Sequence, residues 1–167
     1  MVLTTGLTIG ARAERRDAVI RANLRGLNEV PPVASQGSAT LRATFDQSAQ
    51  TITFTIDYKN LSGPPAAAHT HFGPTKVNGG VMFFFCGGGG KPACPATPSG
   101  TITATVTPAD VVGPTAQGIT AGDFADVVRA IASGNSYANI HTAAFPGGEI
   151  RGRLVAFGID SDEDQDD

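Results

Sequence analysis

The chain has no tryptophan, and in 167 residues it has only two tyrosines, two cysteines and three histidines. Each scarcity narrows what it can be. Twelve Lys and Arg stand against fifteen Asp and Glu, and the cations form no cluster, so no nucleic-acid surface is encoded. A membrane-spanning helix needs about 20 consecutive apolar residues, and no stretch supplies them. No G-x-S-x-G elbow and no G-x-x-x-x-G-K-[ST] phosphate loop occurs. Hydrolase and phosphoryl-transfer chemistry therefore lack their nucleophile and their cradle.

What is present is apolar and rich in turns. Hydrophobic residues make up 41% and charged residues 16%, so the composition is that of a folded chain. Glycine (21) and proline (11) are frequent. With threonine and small residues between them, they predict short strands joined by tight turns. The length suits one domain, here residues 18–157. The segment 1–17 is a candidate leader: "MVLTTGLTIGARA" is apolar and ends in Ala11-Arg12-Ala13, like a secretory cleavage site, although the usual basic start is missing. Residues 158–167 end in "DSDEDQDD", an acidic tail that reads as solvated chain or as a weak cation-binding or partner-binding segment.

Alternation marks the strands. In "SATLRATFD", Ala39, Leu41, Ala43 and Phe45 point one way. In "TITFTIDY", Ile52, Phe54, Ile56 and Tyr58 do the same, with Thr51, Thr53, Thr55 and Asp57 opposite. This is the pattern of half-buried antiparallel strands. Further strands are predicted at Ala18–Leu24, "PAAAHTHF", "GGVMFFFC", "GTITATV", "SYANIHTA" and "EIRGRLVAF". "VTPAD" starts a short helical turn. "TAGDFADVVRAIASG" is the one convincing helix, with Thr120 as its cap, Asp123 at its third position, and Phe124, Val127, Val128 and Ile131 as its apolar stripe. About eight strands and one or two short helices predict an all-β, antiparallel Greek-key sandwich or barrel.

Cys86 and Cys94 stand eight residues apart, with four consecutive glycines between them. A loop that flexible brings two thiols within bridging range, and a local disulfide suits an extracellular or periplasmic protein. A thiolate metal pair is the alternative, but those cysteines stand two to four residues apart as a rule.

The histidines fall in two short segments, "AHTHFGP" with His69 and His71, and "NIHTAAFPGGEI" with His141. On a strand, residues i and i+2 share a face, about 6–7 Å apart along the backbone. His69 and His71 therefore point together. On the other strand Ala138 and Ile140 face the core, and Tyr137, Asn139 and His141 share the opposite face. Three neutral imidazoles suit copper or zinc, and nickel less often, and leave a coordination position open. Glu149, just past the "FPGG" turn, is a candidate ligand or a partner that orients an imidazole. Tyr137 is a candidate hydrogen-bond partner near His141 or a core-edge residue. Glu29 pairs with Arg151 or reaches the site. A lone His-x-His is also an ordinary surface pair, but the gathering of every histidine into two Gly/Pro-flanked segments favours the metal reading.

The stretches "LRGLNEVPPVASQGSATLRATFD", "AAAHTHFGP", "NGGVMFFFC", "GTITATVTPADVVGP" and "NIHTAAFPGGEIRGRL" together resemble the CHRD domain, the module named after the animal protein chordin. The likeness runs from about Ile20 to Leu154. It implies a secreted single-domain protein, and it does not carry over chordin's role as a growth-factor antagonist. A looser similarity links "AHTHFGP" to the His-x-His copper pair of the Cu,Zn superoxide dismutases, which implies a β-barrel and copper. Those enzymes use more histidines than this chain has, so only a single-metal site follows. The expected function is metal binding, storage or delivery outside the cytoplasm by His69, His71 and His141. Weak superoxide scavenging is a minor possibility and no other catalysis is expected. The alternative is a metal-free interaction module with an extracellular protein partner.

Overall fold

The computed structural model describes residues 18–159, so the leader segment 1–17 and the acidic run 160–167 lie outside the described residues. Nine strands are present: β1 (Ala18–Arg25), β2 (Ser38–Asp46), β3 (Thr51–Lys59), β4 (Pro65–Phe72), β5 (Gly80–Cys86), β6 (Gly100–Val106), β7 (Ser136–Thr142), β8 (Ile150–Arg153) and β9 (Val155–Phe157). Among the described residues one α-helix, α1, spans Phe124–Ala132, and short 3-10 turns include Pro108–Asp110, the turn expected at "VTPAD".

Every strand pairing is antiparallel. The strands form one sheet in the order β5-β4-β7-β8-β1-β2-β3-β6, with β9 continuing along β1. The two end strands, β5 and β6, approach each other, so the sheet curls into a nearly closed barrel. Three devices span the gap. Phe54 of β3 meets Phe85 of β5 edge-on at 4.6 Å between centroids. The Val112 N–H donates to the Met82 carbonyl at 2.8 Å, docking the chain after β6 onto the free edge of β5. Lys91, in the loop after β5, donates to the Thr105 carbonyl of β6 at 2.8 Å and pairs with Asp110 at 2.9 Å. The Cys86–Cys94 disulfide, with 5.0 Å between Cα atoms, closes the base of that loop.

The alternating residues fill the barrel as expected. Ile20, Leu24, Leu41, Ile52, Phe54, Ile56, Ile102 and Val106 are all buried. α1 lays Phe124, Val127, Ala130 and Ile131 against the barrel, with Phe124 6.2 Å from Phe45. Two details differ from the sequence expectation. Asp123, not Thr120, is the helix cap, its carboxylate accepting from the Asp126 N–H at 3.1 Å. The last predicted strand is divided at Leu154, which buries its side chain and donates its N–H to the Ser136 carbonyl at 3.0 Å. That division makes nine strands where about eight were expected.

Candidate metal centre

β4 and β7 are neighbours although some sixty residues separate them in sequence. Their register sets His69 opposite Asn139, His71 opposite Tyr137, and Ala67 opposite His141. Ala68, Thr70, Ala138 and Ile140 alternate with these residues and are fully buried. The histidines therefore occupy the outer face of the barrel wall, as the period of two requires. His69 and His141 are diagonal neighbours, close enough for ring contact. Ring centroids lie 4.6 Å apart for His69 and His71 and 4.5 Å apart for His69 and His141. One nitrogen from each of the three lies within 4.8 Å of the other two. His69 is buried at 7% exposure beneath the edge of Phe84, and the other two are half-buried.

Backbone carbonyls fix two of the rings. His71 Nδ1 lies 2.8 Å from the Gly79 carbonyl and His141 Nδ1 lies 2.9 Å from the Pro146 carbonyl. A carbonyl oxygen only accepts, so each Nδ1 carries the proton and each Nε2 keeps its lone pair. Tyr137 stacks on His71 at 4.6 Å, nearly parallel, and its hydroxyl accepts from the Gly79 N–H at 3.2 Å. Gly79 thus bonds to the imidazole and to the phenol that supports it. Its place demands glycine, because a Cβ there would stand 1.8 Å from the Phe72 carbonyl oxygen.

Two ring nitrogens, His69 Nδ1 and His141 Nε2, are buried with no hydrogen-bond partner among the described residues. Buried polar atoms are nearly always satisfied, so two orphans in one cluster require an explanation. The rings are also held neutral. Burial first, then the proximity of His71 and His141, pulls His69 down to about 3. Burial pulls His71 down to about 4 against the opposing Gly79 carbonyl. His141 is lowered by burial too, with Pro146 opposing and the Arg151 charge assisting. At neutral pH the cluster presents lone pairs and no positive charge.

A buried polar network underlies the site. Arg151 Nε donates to Glu29 at 2.6 Å, and the Asn139 amide donates to the same carboxylate at 2.5 Å. The far end of Arg151 donates to Asn78 Oδ1 at 2.9 Å and to the carbonyls of Thr75 and Val77 at 3.3 and 3.4 Å. Arg151 therefore holds the loop that delivers Gly79. Its guanidinium also lies 4.5 Å from the Tyr137 ring centroid. The Glu29–Arg151 pair is thus the one the sequence suggests. Gly148, at φ 122°, brings the β7–β8 turn against this network; a Cβ there would lie within 2.9 Å of Glu29 and Asn139.

Glu149 is placed differently from the expectation. Its carboxylate accepts from Ser35 Oγ at 2.6 Å, Ser62 N–H at 2.9 Å, Ser62 Oγ at 2.7 Å and Thr142 Oγ1 at 2.6 Å. Four donors fill its oxygens, and no hydrogen bond joins it to a histidine among the described residues. Glu149 ties three segments together and does not orient an imidazole. Tyr137, expected as a hydrogen-bond partner near His141 or as a core-edge residue, is buried and stacks on His71. The orienting carbonyls of Gly79 and Pro146 carry no side-chain signal. Only the paired glycines after Asn78 and Pro146 hint at close approaches there.

The arrangement fits a metal ion. Imidazoles bind at about 2.0–2.1 Å, which sets their nitrogens about 3.3–4.2 Å apart on one ion. One nitrogen from each ring lies within 4.8 Å of the others, so the three together could hold an ion. Ligating histidines habitually donate their second nitrogen to a carbonyl or carboxylate, as His71 and His141 do here. The cysteines, joined in the disulfide, are not available as thiolates.

No curated protein and no solved structure matches the chain. A family model does, that of the CHRD domain, over residues 20–154. Those residues run from the third residue of β1 to the break between β8 and β9, and they contain all three histidines, the disulfide and the Glu29–Arg151 network. The chain belongs to the CHRD domain family.

Proposed function

We propose that the protein binds one transition-metal ion through His69, His71 and His141, and that it does so outside the cytoplasm for binding, storage or delivery. The observation that carries this reading is the pair of buried, partnerless nitrogens, His69 Nδ1 and His141 Nε2, in a cluster of three imidazoles kept neutral by burial. Each neutral ring keeps one nitrogen lone pair, and a shared electrophile among the three would take these up. Copper is favoured over zinc, because an all-imidazole set suits both and the affinity order for divalent ions peaks at copper. With three protein ligands and two half-buried rings, a fourth position is open to water or to an exogenous donor. The leader-like segment and the disulfide support an oxidising compartment.

Metal titration of the chain, followed by elemental analysis, tests the reading. One tightly held ion per chain is expected, and it is lost in the His69→Ala/His71→Ala/His141→Ala variant. Equal metal content in the two proteins would reject the site and leave the metal-free interaction module.

A further inference from the structure

A second feature lies outside the histidine cluster. A cleft of about 840 Å³ opens where the outer face of β1, the β8–β9 segment, the loop after β4 and the turn after α1 meet. Its lining carries three cations, Arg21, Lys76 and Arg153, and no acidic residue. Among the described residues none of the three forms an ion pair. Two of them are close by construction. Arg21 stands opposite Val155 in the β1–β9 register, and Arg153 precedes Val155 by two residues on the same face. Two exposed cations this near each other on one face raise the local positive potential, which an anion would relieve.

The rest of the lining is chemically mixed. Asn23 and Asn135 offer amides that both donate and accept. Phe157, 57% exposed, and Val155, 40% exposed, add an apolar face. Arg153 is held by its Nε–H bond to the Gly134 carbonyl at 3.2 Å. Guanidiniums match carboxylate and sulfate oxygens in pairs. Amides match hydroxyl groups, and an exposed aromatic ring matches the C–H face of a sugar. The volume is in the range of small-ligand sites.

We propose that this cleft binds an acidic saccharide, its carboxylate or sulfate groups on Arg21 and Arg153, with Lys76 contributing charge, and one sugar face on Phe157. The test uses the full chain and calorimetric titration with two probes, a galacturonate tetrasaccharide and a heparin-derived tetrasaccharide. A neutral maltotetraose and inorganic sulfate are the controls. At least one acidic probe binds, and the two probes separate carboxylate from sulfate recognition. Arg21→Gln/Arg153→Gln weakens it at least about tenfold, as loss of charge-assisted hydrogen bonds does, and Phe157→Ala weakens it several-fold. Thermal melting confirms that these exposed positions leave the fold intact, and Lys76→Gln serves as an independent charge variant. Four results overturn the proposal: neither acidic probe binds; the double arginine variant binds as well as the parent; the neutral sugar or free sulfate binds equally well; or binding appears only when the six carboxylates of residues 160–167 are replaced by amides, which would make the chain's own tail the occupant. None of these outcomes depends on the metal reading.

Discussion

The carbonyl of Gly79 and Nδ1 of His71 are 2.8 Å apart, and the N–H of the same glycine reaches the hydroxyl of Tyr137 at 3.2 Å. One backbone unit therefore sets both the tautomer of an imidazole and the ring stacked on it. Gly79→Ala drives a Cβ into the Phe72 carbonyl and displaces this unit. Metal affinity is expected to fall about 10–100-fold, the usual cost of losing a ligand's outer partner. Competition with a chelator of known affinity measures it.

Glu29 and Arg151 form an ion pair that is almost wholly buried, at 2% and 3% side-chain exposure. Removing one partner leaves the other charged and unpaired, at a cost of about 3–5 kcal/mol. Glu29→Gln and Arg151→Met should each destabilise by that order in urea unfolding. The double variant should be less destabilised than the sum of the two, because it strands no charge. Arg151→Met should also loosen the Thr75–Gly79 loop, which hydrogen exchange would register.

Glu149 separates a structural role from a ligand role. Burial would raise its carboxyl, but the bonds from Ser35, Ser62 and Thr142 outweigh this and hold it below the ordinary value. Glu149→Gln turns an amide donor toward groups that already donate, so a loss of about 1–3 kcal/mol is expected. Metal stoichiometry should remain one per chain. A variant that folds normally and loses the metal would return Glu149 to the ligand set.

The histidines make the metal-free protein sensitive to acid. Unfolded imidazoles titrate near 6.5, whereas His69 and His71 in the fold titrate at about 3 and about 4. Between these limits the unfolded chain holds more protons, so stability rises with pH across the window and is lost as pH falls from about 6.5 toward 3. Melting temperatures of the metal-free protein should drop steeply over that range. The drop should be shallower in His69→Gln. An identical profile in the two proteins would contradict the assigned shifts.

Much of the fold was legible because strict alternation leaves one register that buries a face. β2, β4 and β6 begin and end where "SATLRATFD", "PAAAHTHF" and "GTITATV" do. Thr120 misled as a cap because it precedes a turn, and the chain becomes helical only after Asp123. The strand break at Leu154 was not legible, since it answers to a carbonyl on β7. Within the site, the shared face of His69 and His71 follows from the period of two. The arrival of His141 beside them does not. β4 and β7 are distant in sequence, and only their pairing in the folded sheet sets their register. The carbonyls that orient the rings lie beyond side-chain reasoning, because every residue owns one.

The central claim is that three imidazoles share one ion. X-ray absorption on the copper-loaded chain counts ligands directly. The expected spectrum fits three imidazole nitrogens at about 2.0 Å, and it falls to two in the His141→Ala variant. A spectrum fitted by one imidazole or none, or one unchanged by His141→Ala, would contradict the account.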